Sequence, residues 1–189
     1  EELERILEFT NKKINTIIYC DLGNGKSILL KELKPYLTVN SLEIYEIVDW
    51  DGDYIGDFDH LSKLNKQIVI IIDGYERYLD LLKHYSNTLP KNLNIIASAR
   101  TAEHERLRTE LKTMGFDFNE INIDYLTETE SSDFVNILDN IGMWGKKAGL
   151  PHNRKIELLK DSNNLQFSVS LLHLLDAPQI KSKISTLLS

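Results

Sequence analysis

The sequence predicts an α/β fold: a doubly wound parallel sheet followed by a small all-helical segment. Three observations predict it. Short apolar runs alternate with helical spacings from residue 15 to residue 124, the pattern of repeated strand–helix–strand units. The run Ile68-Val69-Ile70-Ile71-Ile72 holds no polar residue, as in a strand covered on both faces. After residue 126 only helical spacing remains.

In chain order, Leu3, Ile6, Leu7 and Phe9 fall at helical spacing and predict a helix over residues 2–13. Residues 15–20 supply the first strand. The next helix carries Ile28, Leu29, Leu30 and Leu33 and is expected to end or kink at Pro35, because proline lacks the N–H and its ring crowds the preceding turn. Residues 42–48 alternate charged and apolar side chains, which predicts a strand with one exposed face, suited to a sheet edge. Asp49 to His60 reads as a solvated acidic stretch holding Asp49, Asp51, Asp53, Asp57 and Asp59. Its start is similar to a calcium-binding loop, but Tyr54 and His60 stand where that loop needs glycine and glutamate. Residues 67–73 form the most hydrophobic strand. A helix from about Arg77 to Tyr85, a strand over 93–98, a helix over 103–114 and a strand over 121–123 follow. Thr127 and Glu130 have the spacing of a capping box. Phe134, Ile137, Leu138, Ile141 and Trp144 are spaced to line one face of the helix behind it. Residues 155–161, 165–176 and 178–188 suggest three more short helices.

Between the first strand and the helix after it, the chain reads Cys20-Asp21-Leu22-Gly23-Asn24-Gly25-Lys26-Ser27. A strand, a glycine-rich turn ending in Gly-Lys-Ser and a helix make the layout of a phosphate-binding loop. Small residues let successive N–H groups curl around a phosphate, and the helix N-terminus adds partial positive charge. Asp21, Leu22, Gly23, Asn24, Gly25, Lys26, Ser27 and Ile28 are therefore the candidate nucleotide-binding residues. Lys26 would place its ammonium on the outer phosphates, and the Ser27 hydroxyl would hold Mg²⁺. The pattern departs from the full motif at its first glycine, which is Cys20 here. A Cβ at that position either narrows the turn or leaves it intact.

Asp73 ends the most hydrophobic strand. Open parallel sheets bind ligands at that edge, so Asp73 is the candidate second holder of Mg²⁺; the alternative is an N-cap for the next helix. Glu76 is the candidate base that polarises a water aimed at the terminal phosphate. Its alternative is an ordinary first-turn carboxylate facing the helix dipole. Arg100 follows the strand over 93–98 and is the candidate sensor of the terminal phosphate; the alternative is a solvated surface arginine.

Together, the stretches CDLGNGKS (20–27), IVIIIDGYER (68–77) and LNIIASAR (93–100) resemble the loop, metal-binding strand and sensor strand of the STAND class of P-loop ATPases, which includes NACHT and AP-ATPase modules. INIDYLTETESSDFV (121–135) is similar to that class's passage into a helical lid. The resemblance implies a three-layer sheet of strand order 5-1-4-3-2, with a nucleotide-binding domain over 1–126 and a lid over 127–189. It also implies ATP or ADP with Mg²⁺, self-association on activation, and flanking effector and sensor domains. Many bacterial members act in anti-phage defence. Gly149-Leu150-Pro151 is the one textual match to the lid's Gly-x-Pro motif, but it lies between helices after Lys146-Lys147 and reads as a turn. The stretch Asn164 to Phe167 is the alternative lid position.

Composition sets bounds. A net charge of −7 without a strongly basic stretch argues against a large unaided nucleic-acid surface. The single cysteine excludes an internal disulfide and a multi-cysteine metal site, and fits a reducing cytosol. No apolar run reaches membrane-spanning length, and the start is no secretory signal, so the cytoplasm is expected. The histidines show no metal spacing, and His173 reads as a helix-face residue. The first residues, Glu-Glu, and an end within a helical pattern read as a piece of a larger protein. The favoured function is a regulatory ATP-binding switch with slow or no hydrolysis. A turnover remodelling ATPase needs a placed base and a neighbour's arginine, for which Glu76 and Arg106/Arg108 are candidates. A scaffold with a decayed nucleotide site is the third reading, supported by Cys20. No Asn-Lys-x-Asp guanine reader is present, which leans toward adenine.

Overall fold

Alternate side chains of a strand point to opposite faces of its sheet, and here both faces are apolar. The computed structural model describes residues 2–21, 23–48, 52–86, 88–124 and 126–160. Its strands are β1 (Thr16–Cys20), β2 (Glu43–Glu46), β3 (Ile68–Asp73), β4 (Leu93–Arg100) and β5 (Asn119–Asn122). Its helices are α1 (Glu2–Asn11), α2 (Lys26–Val39), α3 (Tyr54–Ser62), α4 (Leu79–Tyr85), α5 (Thr101–Thr113), α6 (Glu128–Asn140) and α7 (His152–Lys160). The strands pair in parallel in the order β2-β3-β4-β1-β5, which is the expected 5-1-4-3-2 order.

On one face, Ile68, Ile70 and Ile72 join Ile95 and Ala97 against Phe58, Leu82, Tyr85 and Leu107. On the other, Val69 and Ile71 join Ile18 and Ile96 against Ile6, Leu30, Leu33 and Leu37. Three layers result, with β3, β4 and β1 inside. β2 lies at the edge, as its alternating sequence predicts. Its two glutamates are each paired with a lysine, Glu46 with Lys34 at 2.5 Å and Glu43 with Lys66. Charges of this kind discourage a further strand from adding to an edge.

Two expectations for this region are revised, each for a packing reason. Of the end or kink expected at Pro35, the end does not occur: α2 runs through Pro35 to Val39. Pro35 forfeits one backbone hydrogen bond, while the turn beyond it buries Leu37 completely beneath the sheet; burial of one leucine stabilises by about 1.5–3 kcal/mol. The acidic stretch is not all loop either. Asp53 caps α3 by accepting the Gly56 N–H at 3.1 Å, and Phe58 and Leu61 pack into the core. The aspartates of α3 lie on its exposed side, with Asp57 and Asp59 both exposed. Asp49, Trp50 and Asp51 lie outside the described residues. Smaller differences are boundary shifts: β4 extends to Arg100, α5 starts at Thr101, β5 covers Asn119–Asn122, and a 3-10 turn at Tyr75–Arg77 precedes α4.

The chain divides into two compact units, Glu1–Cys20 with Gly25–Ile123, and Asp21–Asn24 with Asp124–Ser189. The second contains α6 and α7. Thr127 and Glu130 close the capping box, each accepting the other's backbone N–H. That bond to the Thr127 backbone holds the Glu130 carboxyl below its ordinary value. Val135, Leu138, Trp144 and Leu159 form the core. Of the expected helix face, Leu138 and Trp144 are in this core and Phe134 packs against it, whereas Ile137 and Ile141 are exposed; α6 ends at Asn140, and Ser131 and Val135 complete its buried stripe. Lys155 is buried, with its ammonium 2.5 Å from Asp139 and 5.3 Å from the Trp144 ring centroid. Gly149-Leu150-Pro151 forms the turn before α7, as expected. The helices expected over 165–176 and 178–188, His173 and the stretch Asn164 to Phe167 lie outside the described residues. Among the described residues no helix is long and apolar enough to cross a membrane.

Two substitutions separate propensity from packing in α2. Leu37→Ala is expected to cost about 2–5 kcal/mol of unfolding free energy. Pro35→Ala is expected to raise stability by roughly 1 kcal/mol or more, since it restores a helix N–H at the cost of a freer unfolded chain. Urea denaturation of both variants measures each effect.

Candidate functional site

Parallel strands end on the same side of their sheet, so whatever follows β1, β3 and β4 is gathered at one edge. The register brings Cys20 opposite Arg100 and Asp73 opposite Ser98. α2 begins at that edge. Its first two residues, Lys26 and Ser27, are the cationic and hydroxylic members of the Gly-Lys-Ser turn. Gly25 precedes them at φ +90°, with open space where a Cβ would stand. Glycine is needed there for its backbone angle, not for room.

Ser27 and Asp73 meet: the Ser27 hydroxyl donates to Asp73 Oδ2 at 2.8 Å. The other carboxylate oxygen accepts the hydroxyl of Ser98, a completely buried side chain. The Gly74 N–H donates to Ser98 Oγ at 3.2 Å and to the Ser98 carbonyl at 3.1 Å. Asp73 is thereby fixed between α2 and β4. Ser98 was not singled out in the sequence; the signal was its place as a lone hydroxyl near the end of the buried strand Leu93–Arg100.

Lys26 turns back over the loop. Its ammonium donates to the Cys20 carbonyl at 2.9 Å and lies 3.3 Å from Cys20 Sγ. Cys20 is buried, so its thiol packs beneath the lysine. Gly74, at φ +81°, bends the chain out of β3 into the 3-10 turn Tyr75–Arg77. A Cβ on Gly74 would lie 3.2 Å from Glu76 Oε1. Glu76 Oε2 is buried and accepts no hydrogen bond from any described residue. A carboxylate oxygen in that state calls for a donor such as water. Arg100 ends β4 in extended conformation and is exposed. The structure thus gathers Lys26, Ser27, Asp73, Glu76 and Arg100 on the elements that meet at one sheet edge. Ile28, in the first turn of α2, is 68% exposed.

The loop residues Asp21, Gly23 and Asn24 belong to the second unit; Leu22 lies outside the described residues. Asp124 holds Asp21 and Asn24. Its Oδ1 accepts the Asp21 N–H at 2.5 Å and the Asn24 side-chain N–H at 3.2 Å. Sequence reasoning missed this residue, since nothing local in Ile123-Asp124-Tyr125 marks a contact with residues about a hundred positions earlier.

Two variants test these loops. Asp124→Ala is expected to speed amide exchange at Asp21 about tenfold, the loss of one charge-assisted hydrogen bond. Gly74→Ala is expected to lower stability by roughly 1–2 kcal/mol, from the left-handed backbone angle alone. Hydrogen–deuterium exchange and urea denaturation give the two readouts.

No protein-family model matches the sequence, and no curated protein matches it in sequence. Solved structures do match its fold. The chain is similar to Saccharomyces cerevisiae Hsp104 in its ADP complex, with a TM-score of 0.58 and 12% identity over 97% of this chain and 38% of that one. It is similar to Aeropyrum pernix Orc1 in complex with DNA, with a TM-score of 0.56 and 14% identity over 97% of this chain and 64% of that one. It is similar to Cdc6p of Pyrobaculum aerophilum, with a TM-score of 0.60 and 8% identity over 96% of this chain and 62% of that one. The chain therefore spans 38% of the Hsp104 chain and less than two thirds of the other two. A five-stranded parallel sheet in this order, with its helices, gives the chain the fold of P-loop NTPases.

Proposed function

We propose that this chain binds ATP or ADP with Mg²⁺ and serves as a regulatory switch module of a larger protein. The observation that carries the reading is the Ser27–Asp73–Ser98 cluster beside Lys26, at the edge where β3, β4 and β1 end. The donor set fits the metal: a hydroxyl and a carboxylate within 2.8 Å are hard oxygen ligands, the kind Mg²⁺ takes alongside water and phosphate. When bound, Mg²⁺ would neutralise charge on the outer phosphates. The chain's own residues do the rest. Gly25 and the α2 N-terminus present N–H groups to phosphate, Lys26 exchanges its loop carbonyl for a phosphate oxygen, and Ser98 holds the Asp73 carboxylate in place. Glu76 orients a water through its unpartnered oxygen, and Arg100 senses the terminal phosphate.

The finer reading is a STAND-class module with slow hydrolysis, with residues 127–189 as its lid. It rests on Asp73-Gly74 followed by Glu76, on Arg100 ending β4, and on the capping-box helix after Asp124. Flanking effector and sensor domains, self-association on activation, a role in defence and a cytoplasmic place belong to the same proposal. ADP in the Hsp104 structure supports an adenine nucleotide here. A turnover ATPase is the second reading, favoured by the buried, unpartnered oxygen of Glu76.

Mg·ATP at a hundred times its dissociation constant is expected to stabilise the chain by about 2.7 kcal/mol, seen as a raised melting temperature. Lys26→Ala is expected to abolish the shift. A melting temperature indifferent to nucleotide sinks the proposal and leaves a scaffold. Phosphate release at about 1 per second or faster replaces the switch with the turnover enzyme.

A further inference from the structure

One buried imidazole touches the elements that carry the site. His104, 2% exposed, lies near the start of α5, four residues after Arg100. Its ring lies against Tyr19 at 4.5 Å between centroids, one residue before Cys20. Its Nδ1 is 2.9 Å from the Tyr75 hydroxyl, and Tyr75 is fully buried one residue before Glu76. Its Nε2 faces Glu120 Oε1 on β5 at 3.6 Å, too far for a hydrogen bond. Arg108 Nε holds that same carboxylate oxygen at 2.9 Å.

We infer the tautomer from the charge that faces the ring. A ring nitrogen turned toward a carboxylate carries the proton, because a lone pair there would be repelled. Nδ1 is then the acceptor, and the Tyr75 O–H donates to it. Burial keeps the imidazole neutral by pushing its pKa down, against the opposing pull of Glu120. A buried phenol without a partner would be costly, so the hydroxyl binds Tyr75, and the 3-10 turn it begins, to α5.

We propose that His104 is a positioning residue for the phosphate-releasing step: by accepting the Tyr75 hydroxyl it fixes the turn Gly74–Arg77, and with it the Glu76 carboxylate, relative to Arg100. The proposal rests on the nucleotide reading above. Glu76 has no hydrogen bond of its own on Oε2 among the described residues. Its placement therefore comes from the backbone of its turn, which Gly74 makes free to bend and Tyr75 anchors. A switch that hydrolyses slowly needs such an anchor, because the rate depends on where one carboxylate stands.

The test uses the whole chain with Tyr75→Phe, His104→Phe, the double variant and His104→Asn, whose side-chain oxygen replaces Nδ1 as acceptor. Each of the first two is expected to slow single-turnover phosphate release about tenfold, with the Mg·ATP dissociation constant within twofold of the parent. The double variant is expected to be no slower than either, as one shared hydrogen bond requires, and His104→Asn to recover most of the rate. Additive, hundredfold loss in the double variant, equal loss of affinity, unchanged rates, or a parent that binds ATP without releasing phosphate each overturn the proposal. If His104→Phe does not fold, Tyr75→Phe, which loses only a hydroxyl, carries the test against His104→Asn. A parent that binds no nucleotide refutes the functional reading instead. Amide exchange then decides the anchor: about tenfold faster exchange over Gly74–Arg77 in Tyr75→Phe upholds it, and unchanged exchange overturns it.

Discussion

The Asp73 carboxylate is the constraint on which the sheet edge depends. It is the exposed last residue of a strand that is otherwise fully buried. One oxygen accepts from Ser27 on α2 and the other from Ser98 on β4. The strand β3 is driven into place by apolar burial on both faces, a force without direction. Hydrogen bonds at its end supply the direction, fixing where the helix after the loop begins relative to the strand beside it. Parallel pairing makes this possible, because strands running the same way end on the same side and deliver their terminal residues together.

The backbone at that edge is bent where polar groups converge. Gly25 and Gly74 both take positive φ, one turning the loop into α2 and the other turning β3 into the Tyr75–Arg77 turn. Side chains hold what glycine leaves free. The Lys26 ammonium closes on the Cys20 carbonyl, and Tyr75 reaches the buried His104. Cys20 stands where the loop motif has glycine, and the strand absorbs it: the residue is buried at the end of β1 with its sulfur beneath the lysine. The replacement leaves Gly25, Lys26 and Ser27 in a helix-opening turn.

Much of this was legible because the signals are local or periodic. Five apolar β-branched residues from Ile68 to Ile72 need two covered faces, and they have them. Gly-Lys-Ser before a helical pattern marked α2, and Asp73 and Arg100 were legible as polar residues ending apolar strands. Thr127 and Glu130 closed their capping box as spaced, since a cap depends on one turn of chain. Failures came where packing outweighed composition. Pro35 marks an end or a kink of its helix, and α2 continues past it to bury Leu37. The aspartates of α3 hid Phe58 and Leu61. Leu138 and Trp144 pack as their spacing predicts, but the buried stripe of α6 turns toward Ser131 and Val135 and leaves Ile137 and Ile141 exposed.

The sequence by itself determined the fold class, the strand-ending polar residues and the phosphate-loop pattern, because hydrophobic period and glycine placement act over a few residues. Only the tertiary structure decided that Ser98 braces Asp73, that Asp124 holds Asp21, and that His104 meets Tyr75. Each pair is brought together by strand pairing or helix packing across 25, 103 and 29 positions of chain. Such pairings follow from which face each element buries, and no spacing within the sequence records that.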